Sequence, residues 1–451
     1  MSVSVLTTRA AVEELAVPNE GEFTPNARAG RRDFWPNVVL LCSRAIGIVA
    51  QFAVQLAVGA LSGAAGLGVL QLATSWTSIG GEVFGRGLPT VAMKQLSSHS
   101  GNLLQREIFL RAARREIVRG WLTLLPVMIG LIVLCLFIFE QPVYGYLIAS
   151  VAISAPLFSV LRLRAEALKA LGAPLPAVSL ENLTIPTIIL ALCAACWSLD
   201  WGLQAAALVL ANMLGVFLAM VLLRRRLSHN ALQQYQPDGD TVLTSYDRVS
   251  QRHLWIGGLL SILFLQSPFV LMPLFVSAQE IGVFSLAFKF INIITTLLIL
   301  FAAVYAPRFA RLGADNDGKG LATTLRQTQI ACLALFVPAA GCCILLADPL
   351  AALFGEEFAQ LGAFLLILST GHLFNAATGL CGVVLNMAGA EKQEILALCC
   401  ALTIAVIASA LVGPHYGAIG LAWVFSASII VKNLLSYGFA KRLINQLEKT
   451  S

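Results

Sequence analysis

Long apolar runs separated by short polar turns repeat along almost the whole chain, from Phe34 to about Lys441. Each run holds about 20 residues or more, which is enough for an α-helix to cross a hydrocarbon core of about 30 Å. The pattern predicts an all-α polytopic membrane protein with about twelve transmembrane helices. The spans are predicted at residues 34–59, 65–93, 116–139, 143–170, 175–198, 201–223, 253–277, 280–307, 321–347, 358–387, 393–412 and 416–440.

The composition excludes a soluble globular protein. Of the 451 residues, 58% are hydrophobic and only 12% are charged, and the mean hydropathy is +0.81, whereas soluble domains are about a quarter charged. The net charge of +6 does not indicate nucleic-acid binding, because the Lys and Arg residues are spread over many short connections. The ten Cys lie mostly inside apolar runs, where free Cys behaves as a small hydrophobic residue, so we expect no metal and no cofactor.

The connections alternate between a basic set and a set without Lys or Arg. The connections without basic residues are 61–64, 140–142, 198–200, 277–279, 347–357 and 413–415. By the positive-inside rule, both termini and all the basic connections are expected in the cytoplasm. The loops on the other side hold at most about a dozen residues, which leaves no room for a catalytic domain there, so we do not expect an enzyme.

Three short patterns occur twice, at an offset of about 215 residues. They are Gly68-Val69-Leu70 with Gly282-Val283-Phe284, Leu168 and Gly172 with Leu385 and Gly389, and Trp201-Gly202 with Tyr416-Gly417. A duplication of six helices places both copies in the same orientation, so a pseudo-two-fold axis along the membrane normal should relate two six-helix lobes. This architecture is typical of alternating-access transporters, and symporters of the major facilitator type share it.

The predicted organisation follows from the duplication and from two polar stretches. It comprises a disordered cytoplasmic tail at 1–33, an N-terminal lobe at 34–226, a cytoplasmic linker at 227–251, a C-terminal lobe at 252–443 and a second tail at 444–451. The N-terminal tail is mixed and polar and lacks a compact apolar stretch after a basic start, so we do not interpret it as a secretory signal.

Four basic residues are predicted deep inside spans, about 12 to 16 Å from a helix end: Arg44, Arg86, Lys289 and Lys432. A charge at this depth is costly unless it faces water or a partner, so each is a candidate functional residue. An internal ion pair or snorkelling to the interface is the other explanation, and snorkelling carries more weight for Lys432 and Arg86. The one acidic residue predicted at similar depth is Glu82, which lies four residues from Arg86, the spacing of an intrahelical ion pair.

The charge balance inside the spans indicates the chemistry of a substrate. Ion-coupled pumps usually carry acidic groups in the transport path, whereas an unbalanced cationic path suits an anionic substrate such as a phosphate or pyrophosphate. Further polar residues are predicted within spans: Asn182, Gln266, Asn292, His372, Asn375 and Asn386. For each of these an interhelical hydrogen bond is the more frequent role, and contact with a substrate or a coupling ion is the alternative.

Several stretches, strongest in the second half, carry a resemblance to a known family. They are 278–289 (AQEIGVFSLAFK), 306–310 (APRFA), 354–358 (FGEEF), 384–389 (VLNMAG) and 416–422 (YGAIGLA). From about residue 34 onward the chain resembles the polysaccharide repeat-unit flippases of the multidrug/oligosaccharidyl-lipid/polysaccharide exporter superfamily.

The resemblance implies two six-helix lobes around a cavity that opens alternately to either side of the bacterial inner membrane. It implies the transfer of an undecaprenyl-pyrophosphate-linked oligosaccharide to the periplasmic leaflet, for lipopolysaccharide, capsule or exopolysaccharide. In such flippases cationic residues line the cavity, which would assign Arg44, Arg86, Lys289 and Lys432 to the substrate. The implied partners are the lipid-linked oligosaccharide and membrane lipids, with a polysaccharide polymerase and a chain-length protein as candidates, and no nucleic acid.

Other functional classes predict different features. A cation-coupled drug or solute antiporter of the same superfamily is the alternative, and it would need Glu82 as its coupling carboxylate. The drug-extruding branch usually carries an acidic residue in its first helix, and Phe34 to Gly59 contains none. The lipid II flippases have two further helices, for which the chain has no room. A membrane glycosyl polymerase would carry a sizeable periplasmic loop, and the connections are too short for one.

Overall fold

The computed structural model describes residues 27–98, 103–138, 142–233 and 248–450, and these ranges contain helices and turns but no strand. The helices are α1 Ala27–Gly85, α2 Leu88–Ser98, α3 Leu103–Val133, α4 Pro142–Ala170, α5 Pro174–Ser198, α6 Ala205–Gln233, α7 Arg248–Leu265, α8 Ser267–Leu271, α9 Ala278–Ala314, α10 Gly318–Leu345, α11 Ala347–Phe354, α12 Leu361–Thr378, α13 Cys381–Met387 and α14 Glu391–Thr450. A π-helical turn, Leu134–Ile138, and two 3₁₀ turns, Met272–Leu274 and Glu356–Phe358, complete them. The all-α prediction is confirmed.

The number of spans depends on how the broken helices are counted. In the described ranges, 9 helices are long and apolar enough to cross a membrane, or up to 10 if the bent pair α7 and α8 forms one span. Helices α1 and α14 each contain one glycine with non-helical dihedral angles, Gly63 and Gly417. Each of these two helices therefore covers two predicted spans, and the count of twelve stays a prediction.

The connection predicted at 61–64 contains a break at one glycine, and the chain on both sides of it is helical. Gly63 has a φ of 64°, a region that glycine enters without steric cost. The helix that restarts after the break exposes free backbone amides at its first turn. The Glu357 carboxylate accepts a hydrogen bond from the Ala64 amide at 2.9 Å, so a residue of the second half of the chain caps this segment.

Helices α7 and α8 form a bent pair in place of one straight span at 253–277. Their axes differ by 73°. The break falls at Gln266, which precedes Ser267 and Pro268 at the start of α8, and a proline is favoured at a first helical turn but not inside a helix. The bend therefore follows directly from the position of Pro268.

The first repeated pattern forms a contact between the two halves of the chain. A Cβ on Gly68 would lie 1.9 Å from the Ala278 carbonyl oxygen, and a Cβ on Gly282 would lie 1.7 Å from the Ala64 carbonyl oxygen. The second segment of α1 and the start of α9 therefore pack backbone against backbone, which only glycine permits. The contact is reciprocal, because each glycine meets a backbone carbonyl oxygen of the other half.

Buried aromatic side chains fill the space beside this contact. Phe269 packs edge-on against Phe284 and Phe288, with ring centroids 5.7 and 5.1 Å apart. Across the halves, the Trp76 indole donates a hydrogen bond to the Phe269 carbonyl oxygen at 2.8 Å. This cluster supports the segment of α9 that carries Lys289.

The helices extend past the predicted domain boundaries. Helix α1 begins at Ala27, before residue 34; α6 continues to Gln233, beyond residue 226; and α14 continues to Thr450, beyond residue 443. Residues 1–26 of the predicted tail and residues 234–247 of the predicted linker lie outside the described ranges. The division into tails, lobes and linker stays a prediction.

Candidate substrate cavity and its charged residues

Two adjoining cavities, each about 180 Å³, share Gln51, Gln55 and Lys289 in their walls. We call them together the central cavity. Lys289 comes from α9, in the second half of the chain, whereas the two glutamines come from the first segment of α1. The other polar residues in its walls are Gln71, Thr74, Thr77, Ser78, Glu181, Asn182, Asn212, Asn292 and Thr296. The cavity is thus formed by both halves, and its polar lining consists mainly of amides and hydroxyls beside apolar side chains.

Lys289 is the cation of the central cavity. It lies about 10 Å along α9 from Gly282, at the 1.5 Å rise of a helix, and its side chain is partly exposed. Among the described residues, no carboxylate is within ion-pair distance of it. Its neighbours Phe288 and Phe290 are buried and pack against Phe425 and Phe52. Aromatic packing therefore holds the helix, while the ammonium group lies in the wall of the central cavity without an ion-pair partner among the described residues.

Glu181 is the carboxylate in the wall of the central cavity, and sequence reasoning missed it. It binds Lys169 at 3.1 Å, and Lys169 also binds Glu166 at 2.9 Å. One lysine therefore balances two carboxylates, and the triad carries one net negative charge. The detectable signal was an acidic residue two turns into the predicted span 175–198.

Lys432 is paired, so its treatment as an uncompensated intramembrane cation is wrong. Its ammonium group lies 2.6 Å from the Glu394 carboxylate, and Glu394 is buried while the Lys432 side chain is 16% exposed. Ser436 donates a second hydrogen bond to Glu394 at 2.6 Å. Glu394 lies near the start of α14 and Lys432 lies beyond the break at Gly417, so the ion pair joins the two segments of one broken helix. Glu394 was missed because it lies at the very start of a predicted span.

The ion pair predicted between Glu82 and Arg86 is wrong. Helix α1 ends at Gly85, and Arg86 lies in the following turn with a φ of 47°, so the two residues do not share a helical face. The Glu82 carboxylate instead binds the Arg162 guanidinium of α4. Arg162 lies near the predicted cytoplasmic end of span 143–170, and only the packing of α4 against α1 brings it to Glu82.

Arg86 lies in a cleft with four other arginines. The cleft measures about 740 Å³ and lies between the end of α1, helix α3 and the start of α7, so both halves of the chain form it. We call it the interlobe arginine cleft. Its arginines are Arg86, Arg115, Arg119, Arg248 and Arg252. Sequence reasoning treated the last four as topology signals, although their spacing of four residues places each pair on one helical face.

The remaining predicted residues lie in different surroundings. Arg44 is exposed in the first segment of α1 and does not line the central cavity. Asn292, one turn after Lys289, does line it. His372 is buried beside Phe336, and among the described residues neither of its ring nitrogens has a hydrogen-bond partner. Gln266 lies at the break between α7 and α8. The main-chain carbonyl oxygen of Asn375 accepts a hydrogen bond from the Thr378 hydroxyl.

The four predicted cations therefore do not meet in one cavity. Lys289 faces the central cavity, Arg86 lines the interlobe arginine cleft, Lys432 is neutralised and Arg44 is exposed. Within the described ranges, no group of three His, Cys, Asp or Glu side chains is placed to hold a metal ion.

The arrangement of the helices has been seen in solved transporter structures. A multidrug resistance MATE family transporter of the MOP superfamily, in an inward-facing conformation, matches with a TM-score of 0.68 at 13% identity, over 92% of this chain and 99% of that one. The lipid II flippase MurJ, in an inward closed conformation, matches with a TM-score of 0.61 at 14% identity, over 91% of this chain and 90% of that one. The chain has the two-lobe fold of the MOP-superfamily transporters. No protein-family model and no curated protein sequence matches it.

A third structure with this fold differs in its binding pocket. It is a MOP superfamily transporter from Pyrococcus furiosus, for which the reverse polarity of its binding pocket suggests a different function. It matches with a TM-score of 0.58 at 15% identity, over 91% of this chain and 96% of that one. Because identities in this range establish only the fold, the charge of the cavity has to be read from this chain's own residues.

The two ends of this MOP fold differ. The contact between Gly68 and Gly282 joins the halves at one end, and Gly85 lies about 25 Å away along α1, at the end that carries the interlobe arginine cleft. The glycine contact and the interlobe arginine cleft therefore lie at opposite ends of the second segment of α1.

Proposed function

We propose that the protein is a flippase that moves undecaprenyl-pyrophosphate-linked oligosaccharide repeat units across the bacterial inner membrane by alternating access, for surface or exopolysaccharide biosynthesis. The observation that carries this proposal is Lys289, a cation without a carboxylate partner in the described part of the chain, in a cavity to which both halves contribute amides and hydroxyls. A cation pairs with a pyrophosphate through charge-assisted hydrogen bonds, and amide and hydroxyl groups match the hydroxyls of a sugar.

The interlobe arginine cleft supports the same proposal. Five arginines and one carboxylate, Glu116, line it, and clustered positive charge attracts anions by long-range steering. If the arginine-bearing end faces the cytoplasm, as the positive-inside rule predicts, the cleft lies where a lipid pyrophosphate made in the cytoplasm would approach the gap between the lobes. A pyrophosphate captured there could then pass to Lys289.

The size of the central cavity bears on the mechanism. Each part measures about 180 Å³, whereas pockets for drug-sized ligands measure about 300–1,000 Å³. An oligosaccharide therefore fits only if the lobes separate. In the proposed cycle, the arginine-bearing end opens to admit the substrate, and the contact between Gly68 and Gly282 then opens to release it on the other side.

Complementation tests this function. The chain would be expressed in bacterial strains that lack their own repeat-unit flippase, with donor strains of several repeat structures, and surface polysaccharide would be compared at equal membrane levels of protein. We expect the intact chain to restore polysaccharide in at least one strain and Lys289→Gln to lower it about tenfold, the loss of one charge-assisted contact. Lys441→Gln, at an exposed lysine near the end of α14, is the matched control. Restoration by Lys289→Gln equal to that by the intact chain contradicts a role for Lys289.

Glu181 favours a second candidate function, a cation-coupled drug or solute antiporter. It is the carboxylate in the wall of the central cavity, and it shares its one lysine with Glu166. A coupling ion could occupy such a group, whereas Glu82 is neutralised by Arg162. If no strain regains polysaccharide, and Glu181→Gln but not Glu82→Gln abolishes ion-driven export of a dye, the antiporter explanation replaces the flippase.

A further inference from the structure

We propose that a second arginine-lined cleft, inside the first half of the chain, binds the phosphate headgroup of an anionic phospholipid. This cleft measures about 610 Å³ and lies among α3, α4 and α6. Its charged residues are Arg106, Arg111, Arg114, Arg164 and Arg224, with Glu107 as the carboxylate. We call it the N-lobe cleft. It shares no lining residue with the central cavity or with the interlobe arginine cleft.

Three arginines of the N-lobe cleft, Arg114, Arg164 and Arg224, have no carboxylate partner among the described residues. Glu107 binds Arg111 at 2.7 Å, in a largely exposed pair. The positive charges of Arg224 and Arg114 both act on Arg164. Like charges held this close repel one another, and a bound anion relieves that repulsion.

Arg164 is held in position before any ligand arrives. It is half-buried, and its Nη1 group donates a hydrogen bond to the Met220 carbonyl oxygen of α6 at 2.7 Å. This bond uses one of the five N–H donors of the guanidinium, so the remaining donors can contact a ligand. A cationic group fixed in this way binds an anion with less loss of side-chain entropy.

The position of the cleft in the bilayer favours a lipid over a soluble anion. Helix α3 begins near the cleft, whereas α4 and α6 end there, and Arg224 lies about 28 Å along α6 from Ala205 at the 1.5 Å rise of a helix. That length matches the hydrocarbon core, so the arginines lie at headgroup depth. Basic pockets between helices at this depth bind anionic lipid headgroups.

Apolar side chains complete the wall of the cleft. Leu110, Val160, Leu163 and Leu227 line it together with the arginines. A free phosphate would contact only the guanidinium groups, whereas a phospholipid would also place the glyceride end of its acyl chains against the leucines and the valine. The combination of unbalanced arginines and an apolar wall therefore fits an anionic phospholipid.

Native mass spectrometry of the purified full chain in neutral detergent tests this proposal. Phosphatidylglycerol would be titrated against the intact chain and against the double variant Arg114→Gln/Arg224→Gln, with zwitterionic phosphatidylcholine as the reference lipid. We expect the apparent Kd for phosphatidylglycerol to rise about tenfold in the double variant, the loss expected for charge-assisted hydrogen bonds, with binding of phosphatidylcholine unchanged. The matched control is Arg225→Gln/Arg226→Gln, which removes two exposed charges of the same helix outside the cleft.

Three results would overturn the proposal. One is an unchanged Kd in the cleft variant, and another is an equal loss in the control variant, which would mean that net charge alone recruits the lipid. The third is full displacement of phosphatidylglycerol by inorganic pyrophosphate at equal concentration, which would assign the cleft to a soluble phosphate. If the double variant does not elute as a folded monodisperse protein, Arg114→Gln alone replaces it, because Arg114 is exposed. None of these results depends on polysaccharide transport.

Discussion

Lys289 and Lys432 occupy matching environments in the sequence and opposite ones in the structure. Each was predicted deep inside an apolar span, but Lys432 binds a buried carboxylate at 2.6 Å and Lys289 faces a cavity without a carboxylate partner among the described residues. A buried cation with a partner holds the fold together, whereas one without a partner is available to a ligand. Depth in a membrane span thus identifies a functional candidate, but only the partner decides its role.

The largest effect is expected from breaking the pair of Lys432. The change Lys432→Ala leaves Glu394 buried and unpaired. Removal of one partner of a buried ion pair lowers the free energy of unfolding by about 3–5 kcal/mol. We expect a marked fall in the unfolding temperature in detergent. The double variant Lys432→Met/Glu394→Gln should regain most of the lost unfolding temperature, because neither charge then remains. If Lys432→Ala unfolds at the temperature of the intact chain, the pair does not join the two segments of α14.

A smaller effect is expected from the glycine contact that closes one end of the central cavity. The change Gly282→Ala places a Cβ 1.7 Å from the Ala64 carbonyl oxygen, so α9 must move away from α1, at about 1–3 kcal/mol for such overpacking. Spin-label distances between the lobes should lengthen at this end. Gly438→Ala is the matched control, since its Cβ would meet no atom within 4 Å. Unchanged distances in Gly282→Ala would show that this contact does not set the closed state.

The variant Lys289→Gln is expected to differ from Lys432→Ala in its thermal stability. Removing an unpaired charge from a protein interior removes a desolvation cost, so we expect the unfolding temperature to stay the same or rise, in contrast to Lys432→Ala. Thermal unfolding in detergent, measured beside the transport assay, checks this. A fall in the unfolding temperature of Lys289→Gln as large as that of Lys432→Ala would mean that Lys289 has a structural partner.

The smallest effect is expected for an exposed ion pair of α3. Glu107 and Arg111 lie 2.7 Å apart but are more than half exposed, and exposed pairs contribute about 0.2–1 kcal/mol or less. Glu107→Gln should therefore shift the unfolding temperature only slightly, and less still at high salt because ions screen the charges. A shift comparable to that of Lys432→Ala would contradict the view that burial, rather than distance, sets the strength of these pairs.

The candidate site could be predicted only in part. Lys289 and Asn292 were found because they lie one helical turn apart in a strongly apolar span, and both line the central cavity. Glu181 and Glu394 were missed because they lie near predicted span ends, where charged residues are common. Arg115, Arg119, Arg248 and Arg252 were assigned to topology, and no local pattern shows that two connections far apart in the chain form one cleft.

Hydrophobic periodicity by itself determined the all-α membrane architecture, because a bilayer leaves a long apolar chain almost no alternative to helices. The first of the repeated patterns contains the two glycines at which the halves of the chain touch. Only the tertiary structure decided which charges are paired: Arg162 reaches Glu82 from another helix, and Glu394 reaches Lys432 across a break in α14. Electrostatic energy depends on distance and burial in space, and neither quantity is contained in the spacing of residues along one helix.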